Sequence, residues 1–223
     1  MKPNSAPSIQ QAFESYQQTK PSAELWVGET AAAWDSGKPG VTNAFVDGFW
    51  FVTQLGSLAQ LGVHTQCRQA LVGGAYELID KHTFRPNPDL YLALLWTRVM
   101  GRAVLDVTQP ASHPLVRVYA HCSAYNQSAT APGAVAVAII NADTKQTVQL
   151  SDLGLGHTAP RREWRLRGAK GDVLSRSVEV NGQQLDGAEI PEPLLVTQPA
   201  PVTLRPSEIL FAVFPGADAQ SCR

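Results

Sequence analysis

A single change of period, near Arg102, divides this chain and sets what it can fold into. Before it, helical and extended patterns alternate. Ser8 to Gln18 reads as a helix, with Ile9, Phe13 and Tyr16 at 3–4 spacing, and Pro21 ends it. Glu24 to Val27 reads as a strand. Thr42 to Leu61 reads as a second helix with Thr42 or Asn43 as N-cap and Gly62 closing it. Val63 to Leu71 gives a second strand, and Asp89 to Met100 a third helix between Pro86-Asn87-Pro88 and Gly101. This α-β-α-β-α order predicts a parallel α/β assembly.

After Arg102 short apolar or alternating runs take over: Val104 to Val107, Leu115 to Cys122, Ala134 to Asn141, Thr147 to Leu150, Glu163 to Arg167, Val173 to Val180, Thr203-Leu204 and Ile209 to Phe214. Asn181-Gly182 marks a two-residue hairpin. Residues 102–223 are therefore expected to form an antiparallel β-sandwich, and residues 1–101 a parallel α/β unit. The lengths conflict, because a complete barrel takes about 250 residues. Two parallel strands with three helices neither close a barrel nor cover both faces of a sheet. Either the remaining strands belong to a separate polypeptide, or the chain is a fragment or a truncated gene product.

Composition narrows the function classes. With a net charge of −1 and 44% hydrophobic residues, the chain has material for a real core and lacks the basic excess of a nucleic-acid binder. No apolar stretch approaches the ~20 residues of a membrane span, and residues 1–20 show no signal peptide. The histidines and cysteines have no metal-ligand spacing, and no phosphate loop or dinucleotide fingerprint is present, so no metal or cofactor is expected. Cys122 and Cys222 either pair or remain two unrelated thiols. A pair would close a loop of about 100 residues, worth roughly 4–5 kcal/mol, and would imply an oxidising compartment.

The chemistry centres on Glu29, in the run Glu24-Leu25-Trp26-Val27-Gly28-Glu29-Thr30. Barrel enzymes present catalytic groups at the C-terminal ends of their strands, although a strand-end Glu is ordinarily solvated or ion-paired. A glycosidase carboxylate works with a second one. Asp35, Asp47, Glu77 and Asp80 are the other acids to weigh, and none occupies a second strand end. Arg68 reads either as structural support for an inward acid or as a substrate-carboxylate contact. The basic run Arg161, Arg162, Arg165, Arg167 and Lys170 invites a polyanion-binding reading, but alternation puts these charges on both faces and Glu163 interrupts them, so a solvated sandwich edge is the expectation.

Several ordered stretches resemble glycoside hydrolase family 79, the heparanases and plant heparanase-like proteins. They are Trp26 to Thr30, Asn43 to Trp50, Cys67 to Gly74, Pro86 to Tyr91, Tyr119 to Ser123, Val180-Asn181-Gly182 and the terminal Cys222. The resemblance runs from about Ser8 to Cys222. It implies that residues 1–101 are the last part of a (β/α)8 barrel and 102–223 its appended β-sandwich, in a retaining endo-β-glucuronidase in which Glu29 is the nucleophile and the acid/base Glu lies upstream of Met1. It also implies substrate contacts at Trp34, Asp35 and Ser36, and at Gly74, Ala75 and Tyr76, where Ala75 departs from the family's usual Asn. Tyr76 would be placed to donate its phenol to Glu29. The resemblance pairs Cys122 with Cys222 and leaves Cys67 a free, buried thiol. The implied partners are a glucuronide-containing polysaccharide and the missing barrel portion. The implied location is extracellular or lysosomal/vacuolar, or membrane-associated. The alternative is an inactive truncated product, or a carbohydrate-binding or scaffolding remnant of such an enzyme.

Overall fold

The computed structural model describes residues 6–19, 22–125, 132–151, 153–155 and 160–223, and of residues 6–10 the backbone alone. Helix α1 spans Ala6–Thr19, strand β1 Trp26–Thr30, helix α2 Phe45–Gln60, strand β2 Thr65–Arg68 and helix α3 Pro88–Val99. Strands β3 (Met100–Leu105), β4 (Val116–Ser123), β5 (Val135–Asn141), β6 (Val148–Leu150), β7 (Arg161–Gly168), β8 (Val178–Val180) and β9 (Gln183–Gln184) follow. They are succeeded by β10 (Leu194–Val196), β11 (Val202–Leu204) and β12 (Glu208–Phe214). The expected helix end at Pro21 lies outside the described residues.

β1 and β2 pair in parallel as a two-stranded sheet, and the later strands form an eight-stranded antiparallel sheet in the order β3-β4-β5-β12-β7-β8-β9, with β10 also on β7. Helix α3 passes directly into β3 at Val99–Met100. The turn at Asn181-Gly182 has both residues at positive φ (54° and 81°), as a two-residue hairpin requires.

Burial follows the period of two on both faces of the large sheet. On β5, Ala136, Ala138 and Ile140 join α2 and α3 in one core, with Phe45, Phe51, Leu92 and Leu95. The alternate residues Val135, Val137 and Ile139 face β6 and β11 in a second core, with Leu150 and Leu204. Covering on both faces explains why β5 and β12 read as continuous apolar runs. The two faces of the large sheet are covered differently: among the described residues the β6–β11 pair lies over one, and helices occupy the other.

Two sequence expectations are corrected here. The four arginines of the basic run lie on β7, which is interior to the sheet between β12 and β8, not an edge, and only Lys170 lies beyond it, exposed in the following turn. Arg161 and Arg165 sandwich Glu163 at 2.6 and 2.7 Å, and Arg165 also reaches Glu208, so these arginines serve a buried ion network. The N-cap of α2 is Ala44, not Thr42 or Asn43. Asn43 instead accepts a bond from the Gly40 N–H, and the Thr42 hydroxyl is committed to neighbouring loops.

Helix α2 can lie this close to the sheet because Gly56 has no side chain. A Cβ added there would stand 2.2 Å from ring carbons of Tyr119 on β4. Gly56→Ala is expected to cost about 2–3 kcal/mol through this overlap. A urea unfolding curve superimposing on the parent would refute the close approach.

Candidate active site

The register of β1 and β2 decides where Glu29 stands. Trp26 pairs with Thr65, Val27 with Gln66 and Thr30 with Arg68, so Gly28 and Glu29 together stand opposite Cys67. One extra residue on β1 is a β-bulge, a device that re-aims side chains beside active sites. Strict alternation would place Glu29 on the face of Val27, with Gln66 and Arg68. The bulge moves it to the face of Trp26 and Cys67, which is the open one: Trp26, Gly28, Glu29 and Cys67 are all exposed. A Cβ at Gly28 would meet nothing within 4 Å, so the kink leaves open space beside the carboxylate.

No hydrogen bond or ion pair among the described residues engages the Glu29 carboxylate. The expected Tyr76–Glu29 hydrogen bond is accordingly not formed. The Tyr76 ring is buried between two glycines instead: an added Cβ would lie 2.8 Å from it at Gly37 and 2.7 Å at Gly74.

The loops after β1 and β2 are laced together. Asp35, Ser36 and Gly37 take three consecutive positive φ values (54°, 63° and 81°), and the Gly37 N–H donates to Trp34 O at 3.2 Å. This reversal aims Ser36 O at the Ala75 N–H, 2.6 Å away. The Thr42 hydroxyl donates to Ala75 O at 2.7 Å and accepts from the Lys38 N–H at 2.9 Å. Ser36, Gly74, Ala75 and Tyr76 thus form one contiguous surface, with Asp35 beside it. Trp34, 95% exposed, stands clear of it as a free aromatic face. Sequence reasoning singled out Thr42 only as a helix cap, and this bridging role was missed. Its spacing four residues after Lys38, in a Pro-Gly turn, was the available signal.

The remaining acids are engaged elsewhere. Asp47 and Asp89 both accept from Arg68, whose side chain is only 7% exposed; this decides between the two readings of Arg68 in favour of structural support. Glu77 accepts from the Gly73 and Lys81 N–H groups at 2.6 and 3.1 Å. Asp80 is held far below the usual carboxylate range, first by Arg176 and then by bonds from Thr83. Among the described residues, no group of three or more His, Cys, Asp or Glu side chains is arranged to hold a metal ion, and no helix is long and apolar enough to cross a membrane. Cys122 and Cys222 form a disulfide. Cys67 is free but exposed, contrary to the expected burial, because the face of β2 that carries it is uncovered.

This arrangement of a short parallel pair followed by an antiparallel sheet has counterparts of the same fold among solved structures. The α-L-arabinofuranosidase of Thermotoga maritima superimposes with a TM-score of 0.63 over 93% of this chain and 48% of its own, at 14% identity, a likeness of fold. A family model described as glycosyl hydrolase family 79, N-terminal domain, matches residues 2–56. Heparanase-like protein 1 of Arabidopsis thaliana is 35% identical over 256 residues, covering 100% of this chain and 47% of that protein. The baicalin-beta-D-glucuronidase of Scutellaria baicalensis is 37% identical over 163 residues, 73% of this chain and 30% of that protein. The chain belongs to glycoside hydrolase family 79. It spans about half the length of the curated relatives it matches.

Proposed function

We propose that this chain is the nucleophile-bearing part of a retaining glycoside hydrolase that cleaves β-glucuronide linkages in polysaccharide or proteoglycan chains. The observation that carries the reading is the bulge that turns the Glu29 carboxylate, unpaired, onto the open face of β1. Glu29 attacks the anomeric carbon; the glycosidic C–O bond breaks and its oxygen takes a proton from a second carboxylic acid. Water then attacks the glycosyl-enzyme ester, giving its proton to that same group and freeing Glu29. The geometry calls for the acid about 5–5.5 Å from the nucleophile. Asp35, Ser36, Gly74, Ala75 and Tyr76 line the sugar site, and Trp34 offers a stacking face.

The acid comes from barrel strands outside residues 1–223, in the same polypeptide or in a partner. Support for this lies in β1 and β2, whose outer edges are unpaired among the described residues and whose open face carries Trp26 at 58% exposure. Parallel strands are normally covered on both faces. The disulfide supports a secreted or lysosomal/vacuolar setting.

Purified 1–223 is expected to show no glucuronidase activity, and to gain it when combined with the complementary barrel strands of a heparanase-like relative. Activity of 1–223 alone, abolished by Glu29→Gln, would contradict the external acid. A combined enzyme in which a mechanism-based glucuronide inactivator labels some residue other than Glu29 would end the nucleophile assignment.

A further inference from the structure

Behind the open strands, three buried charges meet at one nitrogen. Arg68 Nη2 donates to Asp47 Oδ2 at 2.8 Å and to Asp89 Oδ2 at 2.7 Å, and reaches the Tyr76 carbonyl at 3.3 Å. The carboxylate side chains are 4% and 5% exposed. The rings of Trp50 and Phe51 lie 5.1 Å from the guanidinium carbon, closing the cluster to water. Asp47 comes from α2, Arg68 from the end of β2 and Asp89 from α3. One side chain therefore ties both helices to the strand and to the loop that carries Gly74, Ala75 and Tyr76.

The charges do not balance. Two buried carboxylates face one guanidinium, and no other ion pair among the described residues reaches either acid. An uncompensated charge in such a site costs several kcal/mol, whereas one proton on the acid pair leaves a neutral cluster with a hydrogen bond between the carboxyls. Burial, and then the charge of Asp47, push Asp89 well above the ordinary aspartate value of 3.8; burial also raises Asp47. The two acids share that proton.

We infer that Asp47, Arg68 and Asp89 form a proton-holding clamp that positions the Tyr76 loop of the candidate site. Arg68 is thus a positioning residue, and the placement of the loop depends on the proton the two acids share. The role in substrate positioning rests on the proposed glucuronide site; the clamp itself does not.

The sign of the pH effect follows from linkage. The folded state holds Asp89's proton to higher pH than the unfolded chain does. Its contribution is therefore complete below 3.8 and is lost as pH rises through the folded value. Asp80, Asp143 and Asp218, held low, act in the opposite sense as pH falls below 3.8, and His121, pushed down by burial, disfavours the fold in acid. The difference between wild type and Asp89→Asn isolates the clamp, since asparagine mimics the protonated acid without titrating.

Thermal unfolding of the full polypeptide is expected to show the wild-type midpoint falling relative to Asp89→Asn as pH rises above 4, by about 3–5 °C per pH unit until the folded value is passed. Parallel curves would overturn the inference. Should Asp89→Asn not fold, a protonated-carboxyl infrared band in the wild-type protein at pH 6 supports the clamp, and its absence counts against it. Arg68→Lys keeps the charge but loses the planar fork. Amide exchange over residues 70–78 should then quicken at least ~10-fold, a change in local opening of about 1.4 kcal/mol, while β5 and β12 stay protected. Unchanged exchange in this loop would refute the positioning role. Neither readout uses a glucuronide, so the clamp and the Glu29 assignment can fail separately.

Discussion

Glu29→Gln in the combined enzyme is expected to lower glucuronide hydrolysis by ~10⁴-fold or more, equivalent to about 5.5 kcal/mol of transition-state stabilisation. The substitution keeps the size of the side chain and removes only the charge that attacks the anomeric carbon. It should leave stability within about 0.5 kcal/mol of the parent, because an exposed side chain outside any bonding network is being changed. Glu29 has no hydrogen-bond partner to lose among the described residues, so a kinetic loss cannot be charged to unfolding. Glu29→Gly supplies the complementary arm: added azide should enter the vacated space and yield a glycosyl azide of inverted configuration. Activity of Glu29→Gln within tenfold of the parent would dispose of the nucleophile.

Removing the Cys122–Cys222 bond is the largest expected effect on stability. The bond joins residues 100 apart and ties the C-terminal turn Gln220–Cys222 to β4. In the chain-entropy account, a loop of that length contributes about 4.7 kcal/mol. Little else holds the tail: Gly133 exchanges backbone bonds with it, accepting from Ala219 and donating to Cys222 O, each at 3.0 Å. Ala217, Ala219 and Cys222 add partly buried packing on the second core. Cys222→Ser should therefore lower the unfolding free energy by about 4–5 kcal/mol. The Cys122→Ser/Cys222→Ser pair should cost no more, since both changes remove one bond. A loss below about 1 kcal/mol in urea titration would mean the unfolded chain is not constrained by this link.

Much of the fold was legible because it is local. The helical spacing of Phe45, Phe49 and Val52, the positive-φ preference of Asn181-Gly182 and the apolar runs of β5 and β12 all express short-range rules. What misled were features whose meaning depends on neighbours. The arginines of β7 have the alternation of a strand, but alternation does not tell an edge from an interior strand, and Glu208 lies 43 residues from Arg165 along the chain. Cys67 was expected buried from the family resemblance; β1 and β2 here form an open pair that leaves it exposed. Thr42 looked like a helix cap, yet the Ala75 carbonyl, 33 residues away, claims its hydroxyl.

Glu29 shows the division between the two levels. The sequence by itself placed this acid, after a glycine, at the tip of a short strand read as Glu24 to Val27, in a chain whose halves are α/β and antiparallel β. The strand in fact runs Trp26–Thr30 and includes it. The sequence could not determine which face the acid takes, because period-two alternation from Val27 sends it toward Arg68 and the helices. That choice is made by hydrogen bonding between segments some 40 residues apart, where two residues of β1 oppose one of β2. A side chain's face in a sheet is a property of register, and register exists only between strands.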